Sequence, residues 1–134
     1  DLYSGIGSFG LEALSRGAKK VTFIEKNQDA VEILKKNLFK FKLKDKSVLI
    51  ETDIDEALDN KKLGKFDIIF LDPPFSSDAY LNNIKKIVKN NLYKKDHLII
   101  IHREKRSRDN LNNYLDVFLE KKYGRSKILF SRLV

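Results

Sequence analysis

The sequence predicts a doubly wound α/β domain, with a mostly parallel sheet, helices on both its faces and an antiparallel hairpin at the carboxyl end. Three observations predict it. Short apolar β runs alternate with segments of helical periodicity from Val21 to Ile101, the pattern of consecutive strand–helix–strand units. A glycine-rich turn, Ser4-Gly5-Ile6-Gly7-Ser8-Phe9-Gly10, follows what reads as the last step of a strand, Asp1-Leu2-Tyr3. Two final β runs, Tyr114–Lys121 and Ser126–Leu133, meet around Tyr123-Gly124 at hairpin spacing. With no repeat, linker or second core, residues 1–134 are expected to form a single domain.

The elements follow in order. The glycine turn opens a helix through Leu11, Glu12, Ala13 and Leu14, ending near Gly17, a residue suited to a left-handed C-terminal position. Val21–Ile24 is a strand that stops at Glu25. From Gln28 to Phe41, Val31, Leu34, Leu38 and Phe41 recur at helical spacing, with Ala30 and Ile33 beside them. Ser47–Ile50 is the next strand, and a short helix around Ala57 and Leu58 follows Glu51-Thr52-Asp53-Ile54. Phe66–Leu71 is a strand interrupted only by Asp67, read as covered on both faces. Tyr80, Leu81, Ile84, Ile87 and Val88 make one helix face ending near Asn90 and Asn91. Leu98–Ile101 is a buried strand, and Arg103–Asn110 reads as a polar loop. The last strand is expected to run antiparallel beside Leu98–Ile101.

The strand at Phe66 ends abruptly in Asp72-Pro73-Pro74-Phe75. Neither proline offers an N–H to a ladder, so the chain leaves the sheet at Asp72. A carboxylate, two rigid peptide units and an aromatic ring then stand at a carboxyl end, where open α/β sheets bind ligands. Such a corner suits methylation of an exocyclic nucleobase amine. Asp72 and the Pro73 carbonyl can accept from its N–H bonds, and Phe75 can stack on an extruded base. The plain alternative is a Pro-Pro turn whose Asp caps the next helix.

Composition narrows the classes. Of 134 residues, 42% are hydrophobic and 34% charged, which is a globular balance. No apolar run is long enough for a membrane span. With no cysteine, disulfides, thiolate metal sites and a cysteine nucleophile are excluded, and two histidines, His97 and His102, do not make a metal cluster. The net charge of +8 suits a polyanion such as RNA. The lysines from Lys35 to Lys46 also fit a plain solvated helix face.

Gly5-x-Gly7-x-x-Gly10, with Glu25 a strand later, serves a dinucleotide and S-adenosylmethionine equally well. Glu25 can accept from both hydroxyls of a ribose. Asp1, just before the glycines, favours a cationic ligand over a pyrophosphate, which a carboxylate would repel. Asp53 is placed to accept from an adenine amine, with Ile54 against the ring. Ordinary readings exist for each: Asp53 as a helix cap, Glu25 as an ion-pair partner.

The chain resembles the RsmD-type methyltransferases, which modify a guanine N2 in bacterial small-subunit (16S) ribosomal RNA. The resemblance rests on Asp1-Leu2-Tyr3-Ser4-Gly5-Ile6-Gly7-Ser8-Phe9-Gly10-Leu11-Glu12-Ala13-Leu14-Ser15-Arg16-Gly17-Ala18 and Ile24-Glu25-Lys26-Asn27. It continues in Phe66–Phe75, and more faintly in His102-Arg103 and Lys122-Tyr123-Gly124. It implies a Rossmann-like class I S-adenosylmethionine-dependent methyltransferase fold. By the same resemblance Asp1, Gly5, Gly7, Glu25, Asp53 and Ile54 form the cofactor site, and Asp72, Pro73 and Phe75 the catalytic corner, without a metal. Against the family pattern an N-terminal basic segment and most of the first strand are missing, so the chain is expected to be truncated. Ile6 stands where a small polar residue is more usual.

The expected protein is therefore a cytoplasmic, monomeric enzyme that uses S-adenosylmethionine to methylate ribosomal RNA of the small subunit or its assembly intermediate, without membrane association. The rivals are an adenine-N6 methyltransferase on DNA or RNA, an NAD(P)-binding oxidoreductase, and an RNA-binding domain that keeps only the fold.

Overall fold

The computed structural model describes residues 1–111 and 113–134. The chain divides into two compact units, Asp1–Ala57 and Leu58–Val134.

In the first unit, Leu2 makes a single parallel bridge to Ile24, the last step of the expected initial strand. Helix α1 (Ser8–Ser15) starts at Gly7, whose φ is 91°, and the chain leaves it through Gly17 at φ 104°. Strand β1 (Val21–Ile24) pairs in parallel with β2 (Ser47–Ile50), with Val21 opposite Ser47 and Ile24 opposite Ile50. Between them runs α2 (Gln28–Lys40), capped by the Asn27 side chain, which accepts the Ala30 N–H at 3.0 Å. Its buried stripe is Val31, Leu34 and Leu38. Leu34 and Leu38 join Leu14 and Phe23 in a core flanked by Leu11, Ala18, Val21, Leu43 and Leu49. Phe41, expected on that stripe, is instead the C-cap residue and is exposed, as is Ile33. The helix ends before Phe41 can continue the buried row. A 3₁₀ turn over Lys44–Lys46 leads into β2, and α3 (Ile54–Leu58) follows it.

The second unit is a four-stranded sheet in the order β3-β4-β6-β5. Strand β3 (Phe66–Leu71) runs parallel to β4 (Tyr93–Glu104), which pairs antiparallel with β6 (Ser126–Leu133), itself antiparallel to β5 (Leu115–Tyr123). The expected hairpin is present, and its last strand lies beside β4.

Four local expectations change. Strand β3 is not covered throughout: Asp67 and Ile68 are exposed, and only Ile69, Phe70 and Leu71 are buried. Asp67 instead holds Lys94 at 2.8 Å. Strand β4 begins at Tyr93 rather than Leu98, because Tyr93 pairs with Phe66 while the exposed Lys94, Lys95 and Asp96 interrupt any apolar run. It also extends through Arg103 and Glu104, where a loop was expected, since Arg103 is buried and paired. Helix α4 (Ala79–Lys89) buries Tyr80, Asn83, Ile84 and Ile87 but leaves Val88 exposed.

His97 is a core histidine. Its Nδ1 donates to the Lys94 carbonyl at 2.9 Å, and its Nε2 accepts the Leu133 N–H at 2.9 Å, tying β4 to the end of β6.

Gly10 makes the tightest packing test. A Cβ there would lie 2.2 Å from Cε1 of Phe23, a ring with no solvent exposure. Alanine in α1 gains about 1 kcal/mol of helix propensity, but overpacking a filled core costs about 1–3 kcal/mol and forces ring movement. Gly10→Ala should therefore lower stability by up to about 2 kcal/mol, read as a reduced urea midpoint at unchanged slope.

Candidate functional site

In the first unit, Asp1, Gly5, Gly7 and Glu25 come together at the glycine turn, whereas Asp53 and Ile54 stand at the start of α3. Glu25, just past β1, is half-buried and already engaged by the backbone. Its Oε2 accepts the Gly5 N–H at 2.8 Å, and its Oε1 accepts those of Lys26 at 2.9 Å and Asn27 at 2.8 Å. A carboxylate offers about four lone-pair directions, so roughly one remains, on Oε2. Asp1 Oδ2 accepts the Gly10 N–H at 3.1 Å, and Ser4 Oγ bridges the Asp1 carbonyl at 2.6 Å and the Ile24 N–H at 3.0 Å. The turn is thus held from both sides by acids and a hydroxyl.

Its glycines differ in purpose. Gly5, at φ 54°, has open space where a side chain would stand, so a ligand can approach its backbone. Gly7, at φ 91°, presses on Leu34 and is needed for packing as well as for the turn.

Asp53 is used locally. Its Oδ1 accepts the Asp55 N–H at 2.9 Å at the start of α3, and its Oδ2 meets Lys26 Nζ at 3.1 Å. The capping role expected as the ordinary reading is therefore present. Ile54 is buried and α3 begins with it.

In the second unit, Asp72 follows the last residue of β3. Its side chain is 44% exposed, and Oδ1 lies 2.7 Å from His102 Nδ1. Pro73 is fully buried, whereas Phe75 is 39% exposed and meets the His102 ring edge-on, centroids 5.2 Å apart at 76°. Asp72 does not cap α4: the N-cap residue is Asp78.

Arg103, next along β4, faces inward and is 3% exposed. Its guanidinium donates to the carbonyls of Pro74 at 3.4 Å, Phe75 at 3.3 Å and Ser77 at 3.5 Å, and to Asp109 Oδ1 at 3.1 Å. It also stacks over the Tyr80 ring at 4.4 Å. Asp109 accepts from the Tyr80 hydroxyl and from Ser107 Oγ at 2.6 Å, with Lys127 Nζ 3.8 Å away. Burial pushes the Asp109 carboxyl up, but hydrogen bonds from Ser107 and Tyr80 and the Arg103 charge outweigh it, leaving it below its usual value. Burial and the same carboxylate raise the Tyr80 hydroxyl.

His102, Arg103, Tyr80 and Asp109 thus shape the corner, and sequence reasoning assigned none of them a role there. Arg103 lies in a run of charged residues, and nothing in its spacing separates it from a solvated one. Among the described residues no group of three or more His, Asp or Glu is assembled to hold a metal ion, and no helix is long and apolar enough to cross a membrane.

Comparison with known proteins adds the following. A family model described as conserved hypothetical protein 95 matches residues 1–132. The Haemophilus influenzae protein named ribosomal RNA small subunit methyltransferase D is 38% identical over 107 residues, covering 78% of this chain and 55% of that protein. The chain spans about half the length of the curated relatives it matches. A solved structure of a conserved hypothetical protein from Streptococcus pyogenes superposes with TM-score 0.89 at 28% identity, over 97% of this chain and 82% of that one. A putative methylase from Haemophilus influenzae gives TM-score 0.79 at 34% identity, over 97% and 83%.

The Arg103–Asp109 pair has a testable acid limb. A carboxyl held below its unfolded value contributes stability that is complete above that value and lost as pH falls through the folded one. Stability should therefore drop as pH falls below about 3.8, the ordinary Asp value. Asp109→Asn should abolish that limb and cost about 3–5 kcal/mol at neutral pH, because it leaves the Arg103 charge buried without its partner. Urea titrations across pH measure both.

Proposed function

This chain belongs to the conserved hypothetical protein 95 family, the RsmD-type group, and from that membership we propose that it methylates RNA of the small ribosomal subunit. Its fold is Rossmann-like, of the class I methyltransferase kind. In our reading the methyl acceptor is a guanine N2 amine of 16S ribosomal RNA, the donor is S-adenosylmethionine, and the protein acts in the cytoplasm. The observation that carries the reading is the Asp72-Pro73-Pro74-Phe75 corner, with an exposed acceptor and an exposed aromatic face on a loop anchored by Arg103.

S-adenosylmethionine, when bound, supplies a methyl already activated on a sulfonium. The residues of this chain then have to bind, orient and accept protons. The acids of the glycine turn fit such a ligand by their chemistry: Asp1 suits a cationic group, and Glu25 Oε2 keeps capacity for a ribose hydroxyl. Asp53 and Ile54 complete this reading at the adenine end, with Asp53 using capacity beyond its capping bond. Gly5 and Gly7 give the ligand access to the backbone.

At the corner, Phe75 stacks on the extruded base and the exposed Asp72 carboxylate accepts from the amine; Pro73, expected to lend its carbonyl, is fully buried, which leaves Asp72 as the accessible acceptor. That acceptor makes the nitrogen a better nucleophile by localising its lone pair. The chain has no cysteine, so no thiolate adduct with the base is available, and direct transfer to the amine is the matching chemistry. Asp1 and the family membership both weigh against a nicotinamide-dependent oxidoreductase.

Two outcomes follow. Glu25→Ala should weaken S-adenosylmethionine binding by about 1–3 kcal/mol in calorimetry, the penalty for lost hydrogen bonds to a hydroxyl and to the turn. Unchanged affinity would remove Glu25 from the site.

For the reaction, mass spectrometry of small-subunit RNA from a deletion strain should show one guanine lacking its N2 methyl. The wild-type gene should restore it. Asp72→Ala should bind S-adenosylhomocysteine normally yet lower single-turnover transfer on the order of a hundredfold or more. A missing adenine methyl, or a folded Asp72→Ala at the wild-type rate, would overturn this reading.

A further inference from the structure

We propose that His102 is a positioning residue, which holds the Asp72 carboxylate in the one orientation that presents its second oxygen to a nucleobase amine. The inference rests on the reading of the corner given above.

An aspartate at 44% exposure on a loop can occupy several staggered rotamers, and a misplaced acceptor loses most of its value. Among the described residues its carboxylate has one hydrogen-bond partner, His102 Nδ1 at 2.7 Å from Oδ1. A carboxylate offers only acceptors, so this separation requires the hydrogen to be on Nδ1. Oδ1 is thereby engaged, and Oδ2 is left for the incoming amine.

The imidazole is itself well fixed. His102 lies inside β4, its backbone paired with Ile128 of β6, and its side chain is 26% exposed. Its ring packs against Phe75 in a T-shaped pair, with centroids 5.2 Å apart. One side chain therefore contacts both the proposed acceptor and the proposed stacking platform. A partly exposed pair of this kind contributes little to folding, so a large loss of transfer without loss of fold is the expected signature.

Chemistry separates positioning from mere filling of space. An asparagine amide can place a donor where Nδ1 stands, whereas a glutamine amide reaches toward Nε2. The test is single-turnover transfer from methyl-labelled S-adenosylmethionine to small subunits purified from a strain lacking the gene. His102→Ala should lower the rate roughly ten- to hundredfold while the RNA KM changes less than about twofold. His102→Asn should recover to within about fivefold of wild type, and His102→Gln should stay near the alanine value. If His102→Ala fails to fold by circular dichroism, the asparagine–glutamine comparison decides alone. A folded His102→Ala at the wild-type rate, or equal recovery by glutamine and asparagine, overturns the proposal. Asp72→Ala is run alongside: if it retains full activity, the reading of the corner fails. If it is inert while His102→Ala is fully active, only the role of His102 fails.

Discussion

The buried guanidinium of Arg103 is the interaction on which the second unit's corner depends. A charge removed from water costs several kcal/mol unless it is paired and hydrogen-bonded. Here Asp109 supplies the charge, three backbone carbonyls of the 74–77 segment take further donors, and Tyr80 offers its ring face. Lysine could not do this. It brings three donors from one point, whereas arginine brings five in a plane that can fork and stack at once. A loop rich in proline lacks N–H groups with which to anchor itself, so its carbonyls must be the handles. Arg103 takes hold of those carbonyls from β4, and Asp72 and Phe75 are left to face outward.

The first unit solves a related problem with the opposite charge. A tight glycine turn exposes backbone N–H groups that need acceptors, and Glu25 and Asp1 provide them. The acids most readily assigned to a ligand are therefore also structural. This is preorganisation rather than conflict: Glu25 is fixed by three N–H bonds and so presents its remaining lone pair in one direction. A freely rotating glutamate would have to be ordered each time a ligand bound.

Strand β4 connects these ideas to the sheet. Residues alternate across it, so His102 meets Asp72 and Phe75 while Arg103 turns to the buried cluster with Asp109 and Tyr80. The antiparallel pairing with β6 carries the strand to Glu104, opposite Ser126. Without that partner the polar end of β4 would have no reason to stay extended.

The sequence by itself determined the order and type of nearly every element, the glycine turn, the closing hairpin and the acid-Pro-Pro-Phe corner. Each of these is written in local terms: a period, a residue that breaks a strand, a residue that tolerates positive φ. Only the tertiary structure decided where β4 begins and ends, that Phe41, Val88 and Ile68 are exposed, and that His102, Arg103, Tyr80 and Asp109 shape the corner. Those facts depend on partners distant in the chain, His102 standing 30 positions after Asp72 and Asp109 standing 29 after Tyr80. A buried charged residue looks like a solvated one until its partner is known, because pairing makes burial tolerable and leaves no mark on local sequence.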